Sequence, residues 1–289
     1  MLFAQLVVTG IQTGLLYALT AAGFALIFGA TRIFHVAQGA AFALAGYAFV
    51  KADAAGVPWP LAAVLAVVVA VVFGLGMERL VYRPIQRHEA SFFTVFVASF
   101  GVTIMVQSLI EELFGRSFVA ISSPLTQAVA VLPGLYLAPI FWVALATAVV
   151  LFAVLAGFLR FTRAGIGLRA LSESPELLRA YGLSASRLSA LAFAIGSALC
   201  VPGAVLTAAI TGLQPSVGAH VMLISLAATI VGGIGSVTGA ALGGLLLGVA
   251  ENLSVTLLNT QWSEAASFIV LFAFILLRPR GLFGFVVAR

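Results

Sequence analysis

Few polar side chains interrupt the long apolar stretches of this chain, and any chemistry within those stretches must come from them. They are Gln12, Gln38, Gln107, Glu111, Glu112, Ser225, Glu251 and Asn252. A polar or ionisable group buried away from water is costly, so such groups are functional candidates. Glu111 and Glu112 fall near one end of their segment, where water reaches them. Ser225, Glu251 and Asn252 lie deeper and are candidates for lining a solute path, and Glu251 is expected to be paired or protonated there.

These residues form no catalytic constellation. The three histidines are scattered, so no metal-ligand cluster is expected, and no nucleophile stands beside a base. The one lysine, Lys51, is followed by Ala52, so the chain lacks the Gly-Lys-Ser/Thr ending that a phosphate-binding loop requires. The chain is therefore not expected to be an enzyme, and a process driven by ATP would need a separate ATPase subunit.

The composition is that of a membrane protein. Of 289 residues, 63% are hydrophobic and 8% are charged, which leaves too little charge to cover a soluble domain of this length. The net charge of +5 indicates arginines on cytoplasmic loops, not nucleic-acid binding. Cys200, the single cysteine, is expected to pack in an apolar segment. The amino terminus lacks a basic region, so its apolar run is expected to remain as a membrane helix.

The apolar pattern predicts an all-α, polytopic membrane protein that forms one transmembrane domain over residues 1–289. A membrane-spanning helix needs about 20 apolar residues. The candidate segments are 3–30, 34–51, 60–81, 92–113, 136–159, 188–211, 219–233, 238–257 and 264–278. The second and seventh are short and glycine-rich, which predicts tilted, broken or re-entrant helices. About eight or nine transmembrane helices follow, some of them short or broken.

The stretch 219–258 is too long for one membrane pass. As a single helix it would run about 60 Å, twice the thickness of the hydrocarbon layer. It also contains Gly232, Gly233, Gly235 and Gly239, which disfavour a helix interior. We therefore predict two passes around a turn near Gly235. Two interpretations of the glycines stand, a tight helix crossing and a pore-facing break, and Gly39 at the start of the second segment is a similar helix-break glycine.

The distribution of arginines sets the orientation. With two passes in that stretch, twelve arginines lie on one side, and Lys51 and Arg116 lie on the other. With one pass, the split weakens to nine against five. The positive-inside rule then predicts an outer amino terminus, a cytoplasmic carboxyl terminus and an outer loop at 115–135, broken by Pro124 and Pro133.

The largest polar interruption is residues 160–187, which hold five of the thirteen arginines. Within it, residues 174–182 predict a short capped helix, because Ser174 can N-cap, Pro175 fits the first turn and Gly182 can adopt a left-handed C-terminal conformation. A rigid helix in a cytoplasmic loop is typical of contact with a soluble partner, although an ordinary loop helix is the alternative. The residues expected to make that contact are Ser174, Glu176, Leu177, Arg179, Ala180, Tyr181 and Gly182.

The chain also carries a weak internal match. Residues 38–42 (QGAAF) and 238–242 (TGAAL) lie 200 positions apart, and each opens an apolar segment after a break. Transporters are often built from two related halves. A chance match in a chain rich in alanine and glycine is the alternative.

Four strings carry a resemblance to a known family. They are HVAQGAAFALAGY at 35–47, TRAGIGLRALSESPELLRAYGLSASR at 162–187, IVGGIGSVTGAALGG at 230–244 and RPRGLFG at 278–284. In order and spacing they resemble the permease subunits of branched-chain amino-acid ABC importers. The first string departs from the family's Asn-x-x-His-Gly pattern, because His35 stands at the asparagine position and Gln38 at the histidine position. Either these residues touch the solute, and a different solute is carried, or they hold the helix break and the exchange is local repacking.

The resemblance implies a transport subunit in a bacterial or archaeal inner membrane, surrounded by lipid. It would work by alternating access with a second permease subunit, two cytoplasmic ATPase subunits that bind the ATP, and an extracytoplasmic substrate-binding protein. Loop 160–187 would couple it to the ATPases, and no cofactor of its own is implied. The rival hypotheses are a stand-alone secondary transporter or channel, which would need deep ionisable residues and has only Glu251, and a structural membrane scaffold, which the broken segments disfavour.

Overall fold

The computed structural model describes residues 2–88, 91–121, 124–132, 135–174, 178, 182–258, 263–278 and 281–283, most of them helical. The helices are α1 (Leu2–Thr31), α2 (Gln38–Ala54), α3 (Trp59–Gly76), a π-helical segment (Met77–Tyr82), α4 (Arg83–His88), α5 (Phe92–Phe114), α6 (Ile140–Phe161), α7 (Arg163–Glu173), α8 (Ala185–Ile210), α9 (Val217–Gly232), α10 (Val237–Leu258) and α11 (Ser263–Leu277). Two short strands, β1 (Val129–Leu132) and β2 (Leu135–Leu137), lie between α5 and α6.

All nine predicted apolar segments coincide with helices. In the described part of the chain, six helices are long and apolar enough to cross a membrane. The helices α2, α9 and α11 are apolar but shorter, with 17, 16 and 15 residues. The fold is therefore a polytopic, all-α membrane protein with some short and broken spans, as the sequence predicts.

The helix α1 lies at the centre of the molecule and packs on α8, α9 and α10. Its contact with α10 is made backbone to backbone, since a methyl group at Gly14 would lie 2.8 Å from Leu245 Cα and one at Gly10 would lie 2.7 Å from Val249 Cα. The contacts run in opposite directions along the two helices, which are therefore antiparallel. Small residues give membrane helices this close packing, because the hydrophobic effect does not drive association inside lipid.

Two of the short helices, α2 and α9, begin against neighbouring helices: α2 begins beside the middle of α1, and α9 begins beside the start of α2. After α1 ends, residues 32–37 form a non-helical segment, and α2 starts at Gln38, whose side chain reaches Thr20 in the middle of α1. The helix α9 starts after the turn that follows α8, and its Gly218 contacts Gly39 so closely that a Cβ at either glycine would overlap the other's carbonyl group. The irregular backbone is covered by neighbouring helices, the condition under which a membrane tolerates it.

The predicted turn near Gly235 is present. The helix α9 ends at Gly232 and α10 begins at Val237, with Gly233 at φ 109° and Gly235 at φ 88°. Such left-handed conformations favour glycine, since it has no Cβ to clash. Gly232 and Gly239 contact each other through their backbones, and Ala228 contacts Gly243, so α9 and α10 form an antiparallel hairpin of helices.

The segment between α5 and α6 contains structure that the sequence did not indicate. Pro124 begins a 3₁₀ turn, and β1 pairs with β2 as an antiparallel hairpin. The side-chain amide of Gln5 exchanges two hydrogen bonds of 2.9 Å with the backbone of Tyr136 and so ties this hairpin to α1. Pro133, the second predicted breaker, lies outside the described residues.

The π-helical segment between α3 and α4 follows from Pro84. Proline has no N–H to donate to the carbonyl of Leu80, four residues earlier, and its ring crowds that carbonyl. The turn before it therefore widens to the i to i+5 pattern. π-Helical turns often occur at functional sites, and this one carries Tyr82.

Candidate functional site

A buried chain of polar groups holds the break between α1 and α2. His35 Nδ1 lies 2.7 Å from the Tyr82 hydroxyl, which donates to Ser99 Oγ at 2.7 Å. Ser99 also accepts the backbone N–H of Ala37 at 2.8 Å. The three side chains come from the break, the π-helical segment and α5, and all three are buried. The network therefore fixes the segment that precedes α2 against two neighbouring elements.

His35 is held through one ring nitrogen. Its Nδ1 shares the hydrogen bond of 2.7 Å with the Tyr82 hydroxyl, and its Nε2 has no hydrogen-bond partner among the described residues. The ring packs edge-on against Phe193 of α8 with 5.0 Å between centroids. His35 is thus enclosed by protein.

Gln38 joins α2 to two other helices. Its side-chain amide donates to the carbonyl of Gly196 in α8 at 3.0 Å and lies 3.5 Å from the carbonyl of Thr20 in α1. The side chain is fully buried, and Gly23 leaves the space that it occupies. These contacts favour the hypothesis that His35 and Gln38 hold the helix break. A role for either in contacting a solute stays a prediction.

The other path candidates lie apart from the break. Ser225 is fully buried on α9, one turn before Thr229, whose hydroxyl lies 2.9 Å from the Ser225 carbonyl and 3.4 Å from the carbonyl of Ala21. Asn252 on α10 donates to Thr13 Oγ1 at 3.2 Å and to the carbonyl of Gly248 at 3.0 Å, so its amide is part of the α1–α10 contact. Glu251 is half-buried beside it.

The two glycine-containing strings of the sequence meet in space. Leu282 N–H and Phe283 N–H donate to the carbonyls of Val231 and Gly232, each at 2.9 Å. Gly281, at φ 69°, lies against the backbone of Gly233. The carboxyl-terminal turn thus satisfies the last carbonyls of α9, which an isolated helix would leave unpaired.

The polar segment 160–187 is more helical than the sequence predicted. The helix α7 begins after Thr162, whose hydroxyl accepts the N–H of Gly165 at 3.0 Å, and it ends at Ser174. Its buried side holds Gly165, Gly167, Leu168 and Leu171 and packs on α1, α6 and α8. The predicted helix start at Ser174 is thus also the end of an earlier helix.

The second half of this segment is described in part. Leu178 is buried in one cluster with Leu26, Leu155 and Leu171. Its N–H donates to the Ser174 carbonyl at 3.1 Å, and Gly182 has φ 75°, the left-handed conformation that the sequence predicts. The remaining contact candidates lie outside the described residues: Glu176, Leu177, Arg179, Ala180 and Tyr181.

The candidates therefore fall in four places: the break at His35 and Gln38, Ser225 on α9, the α1–α10 contact at Asn252 with Glu251 beside it, and the polar segment. A cavity of about 700 Å³ lies between the last of these and the glycine turn, and its lining includes Arg32, Leu168, Arg169 and Gly235.

Tyr82 and Ser99 were missed from the sequence. They are 47 and 62 positions from the residues they bind, a separation that no local pattern reveals.

Comparison with known proteins identifies relatives along nearly the whole chain. The family model of the permease component of branched-chain amino acid transport systems matches residues 6–277. The high-affinity branched-chain amino acid transport permease LivH of Escherichia coli K12 is 30% identical, covering 98% of this chain and 96% of that protein. BraD of Pseudomonas aeruginosa, described in the same terms, is 28% identical over the same shares.

A solved structure has the same overall fold. It is PsaBC from Streptococcus pneumoniae in complex with Fab, with a TM-score of 0.53 and 12% identity, covering 94% of this chain and 91% of that one. At this identity the likeness concerns the fold alone.

Proposed function

Because the chain belongs to the family of branched-chain amino acid transport permeases, we propose that it is the transmembrane subunit of an ATP-driven importer of branched-chain or other hydrophobic amino acids. It works by alternating access. The chain itself performs no ATP hydrolysis, since its one lysine is not in a phosphate-binding loop.

The observation that best supports this function is the packing of the polar segment on the helix core. Leu168, Leu171 and Leu178 share one apolar cluster with Leu26 of α1 and Leu199 of α8. A partner that pushes on this segment acts on both helices at once. The residues proposed to contact an ATPase are Ser174, Glu176, Leu177, Arg179, Ala180, Tyr181 and Gly182.

A contiguous path leads from that cluster to the helix break. Gln38 joins α1 to α8 outside that cluster. Its side-chain amide donates to the carbonyl of Gly196 in α8 and lies against the carbonyl of Thr20 in α1. A shift between α1 and α8 must therefore move Gln38 or break its hydrogen bonds. Since Gln38 is the first residue of α2, the shift reaches α2 and, through Gly39, the start of α9.

Because this chain forms the membrane path and hydrolyses no ATP, the proposed importer requires other subunits. Two cytoplasmic ATPase subunits bind ATP, a second permease subunit completes the conduit, and an extracytoplasmic protein delivers the amino acid. The chain lies in the inner membrane of a bacterium or archaeon, with its amino terminus outside and its arginine-rich helix ends in the cytoplasm.

Reconstitution tests the function against a stand-alone transporter. Proteoliposomes that hold this chain with the second permease subunit and the ATPases, supplied with the substrate-binding protein, are expected to take up leucine when ATP is present, with no effect of collapsing the proton gradient at constant ATP. Vesicles that hold this chain alone are expected to show no uptake under an imposed proton or sodium gradient. Gradient-driven uptake by the chain alone would overturn the proposal.

A further inference from the structure

A second cavity at the arginine-rich end is lined by cationic side chains and is unexplained by transport. It encloses about 420 Å³ between the end of α1, the π-helical segment with α4, the end of α7 and the start of α8. This volume is typical of small-molecule sites. Its charged and hydroxyl lining comprises Arg32, Arg83, Arg87, Glu78, Thr31, Ser172, Ser186 and Ser189.

The charges in this lining are not balanced. Glu78 is 3% exposed and pairs with Arg83 at 3.1 Å, while Arg83 also donates to Ser186 Oγ. Arg32 and Arg87 form no ion pair with any residue in the described ranges. Arg32 and Arg87, both of which are also exposed to solvent, therefore line the cavity without a carboxylate partner among the described residues.

The backbone at Arg32 supports a binding role. Its φ of 58° is the only positive value for a non-glycine residue in the described chain. This conformation is unfavourable for an arginine and, where it persists, commonly serves a functional site. Here it ends α1 and places Arg32 in the lining of the cavity.

We propose that this cavity binds the phosphate group of an anionic membrane lipid. Guanidinium groups bind phosphate oxygens through paired, charge-assisted hydrogen bonds, and serine hydroxyls supply further donors. Basic pockets between membrane helices on the cytoplasmic side suit anionic headgroups. Val72 of α3 and Leu80 of the π-helical segment, which are close to Glu78 and Arg83 in the chain, are exposed apolar side chains that acyl chains can cover. This inference does not rest on the proposed transport cycle.

Thermal unfolding of the delipidated full-length chain, with any subunits that co-purify, tests the proposal. Phosphatidylglycerol is expected to raise the midpoint temperature of unfolding. Phosphatidylcholine with the same acyl chains is expected to leave it unchanged. The variant Arg32→Gln/Arg87→Gln is expected to require about tenfold more phosphatidylglycerol for the same shift. The matched control is Arg160→Gln/Arg163→Gln, which removes two exposed arginines from the same end that do not line the cavity and is expected to respond as the wild type does.

Other arms distinguish the source of the phosphate. Inorganic phosphate is expected to leave the unfolding midpoint unchanged at concentrations where the lipid raises it. Equal stabilisation by inorganic phosphate would show that the cavity binds a soluble anion and not a lipid. If the control variant loses the response equally, general surface charge is responsible and the site is rejected. Should the double variant fail to fold, Ser189→Phe fills the cavity without changing charge, and a full response to phosphatidylglycerol in that variant would also overturn the proposal.

Discussion

At the residue scale, Tyr82 links the break after α1 to α5 through hydrogen bonds. Its hydroxyl is bonded to His35 on one side and Ser99 on the other, and all three side chains are buried. A buried donor that loses its partner keeps the full cost of desolvation, which is larger than the net gain from an ordinary hydrogen bond. The contribution of Tyr82 to stability should therefore depend on its hydroxyl as well as its ring.

Tyr82→Phe is expected to lower the free energy of unfolding by about 1–3 kcal/mol, because it leaves His35 Nδ1 and Ser99 Oγ without their shared hydrogen-bond partner. Tyr47 offers a matched control: it is equally buried, but its hydroxyl has no hydrogen-bond partner among the described residues. Tyr47→Phe should be neutral or stabilising. The measurement is thermal unfolding in detergent, and equal effects of the two substitutions would contradict the network.

At the scale of elements, glycines determine how closely α1 and α10 approach. Gly248→Ala places a methyl group against the backbone of Gly14 and is expected to destabilise the protein by several kcal/mol or block its assembly. A methyl group at Gly157 in α6 would meet no atom within 4 Å, so Gly157→Ala should be neutral or raise stability by up to about 1 kcal/mol through helix propensity. Thermal unfolding of the two variants gives the comparison, and similar losses in both would exclude close packing as the cause.

The end of the polar segment gives a prediction about coupling. Gly182 has φ 75° and open space around it, so a substitution there acts through the backbone alone. Gly182→Val is expected to cost about 1–2 kcal/mol locally and to reduce ATPase co-purification and amino-acid-stimulated ATP hydrolysis, while the membrane helices remain folded. Gly182→Asn should be mild, because asparagine tolerates this conformation. Normal assembly and uptake by the valine variant would contradict a coupling role.

The sequence predicted the elements far better than it predicted the contacts between them. Apolar run length locates each span, and the four glycines in 232–239 locate the turn, since both signals are local. The helix α7 was missed because its apolar residues are few and its glycines, Gly165 and Gly167, are typical of helix breaks. In the structure both are buried against neighbours: a Cβ at Gly165 would lie 2.6 Å from Leu159 Cα, and one at Gly167 would lie 3.1 Å from Leu188. Local propensity cannot anticipate such tertiary contacts.

At the scale of the whole molecule, cationic groups separate to the two ends of the helices. Arg32, Arg163 and Arg278 lie at the end where α1, α7 and α11 meet the α9–α10 turn. Lys51 and Arg116 lie at the other end, near the isolated antiparallel β-bridge between Val119 and Leu213. This separation agrees with the distribution predicted from the sequence, in which twelve of the fourteen basic residues lie on one side. By the positive-inside rule, we expect the first end to be cytoplasmic.

Labelling with a thiol reagent that cannot cross membranes tests this orientation. Single cysteines are introduced into a Cys200→Ala background at Ile234, an exposed residue of the α9–α10 turn, and at Ser117, an exposed residue after α5. In spheroplasts, whose inner membrane remains sealed, Ser117→Cys should be labelled and Ile234→Cys should be protected. The reason is that the two positions lie at opposite ends of the helices. Detergent should make both reactive, which shows that protection comes from the membrane and not from burial. If Ile234→Cys is labelled in these spheroplasts while Ser117→Cys is protected, the chain is inserted in the opposite orientation. The arginine-rich segment would then face away from any cytoplasmic ATPase.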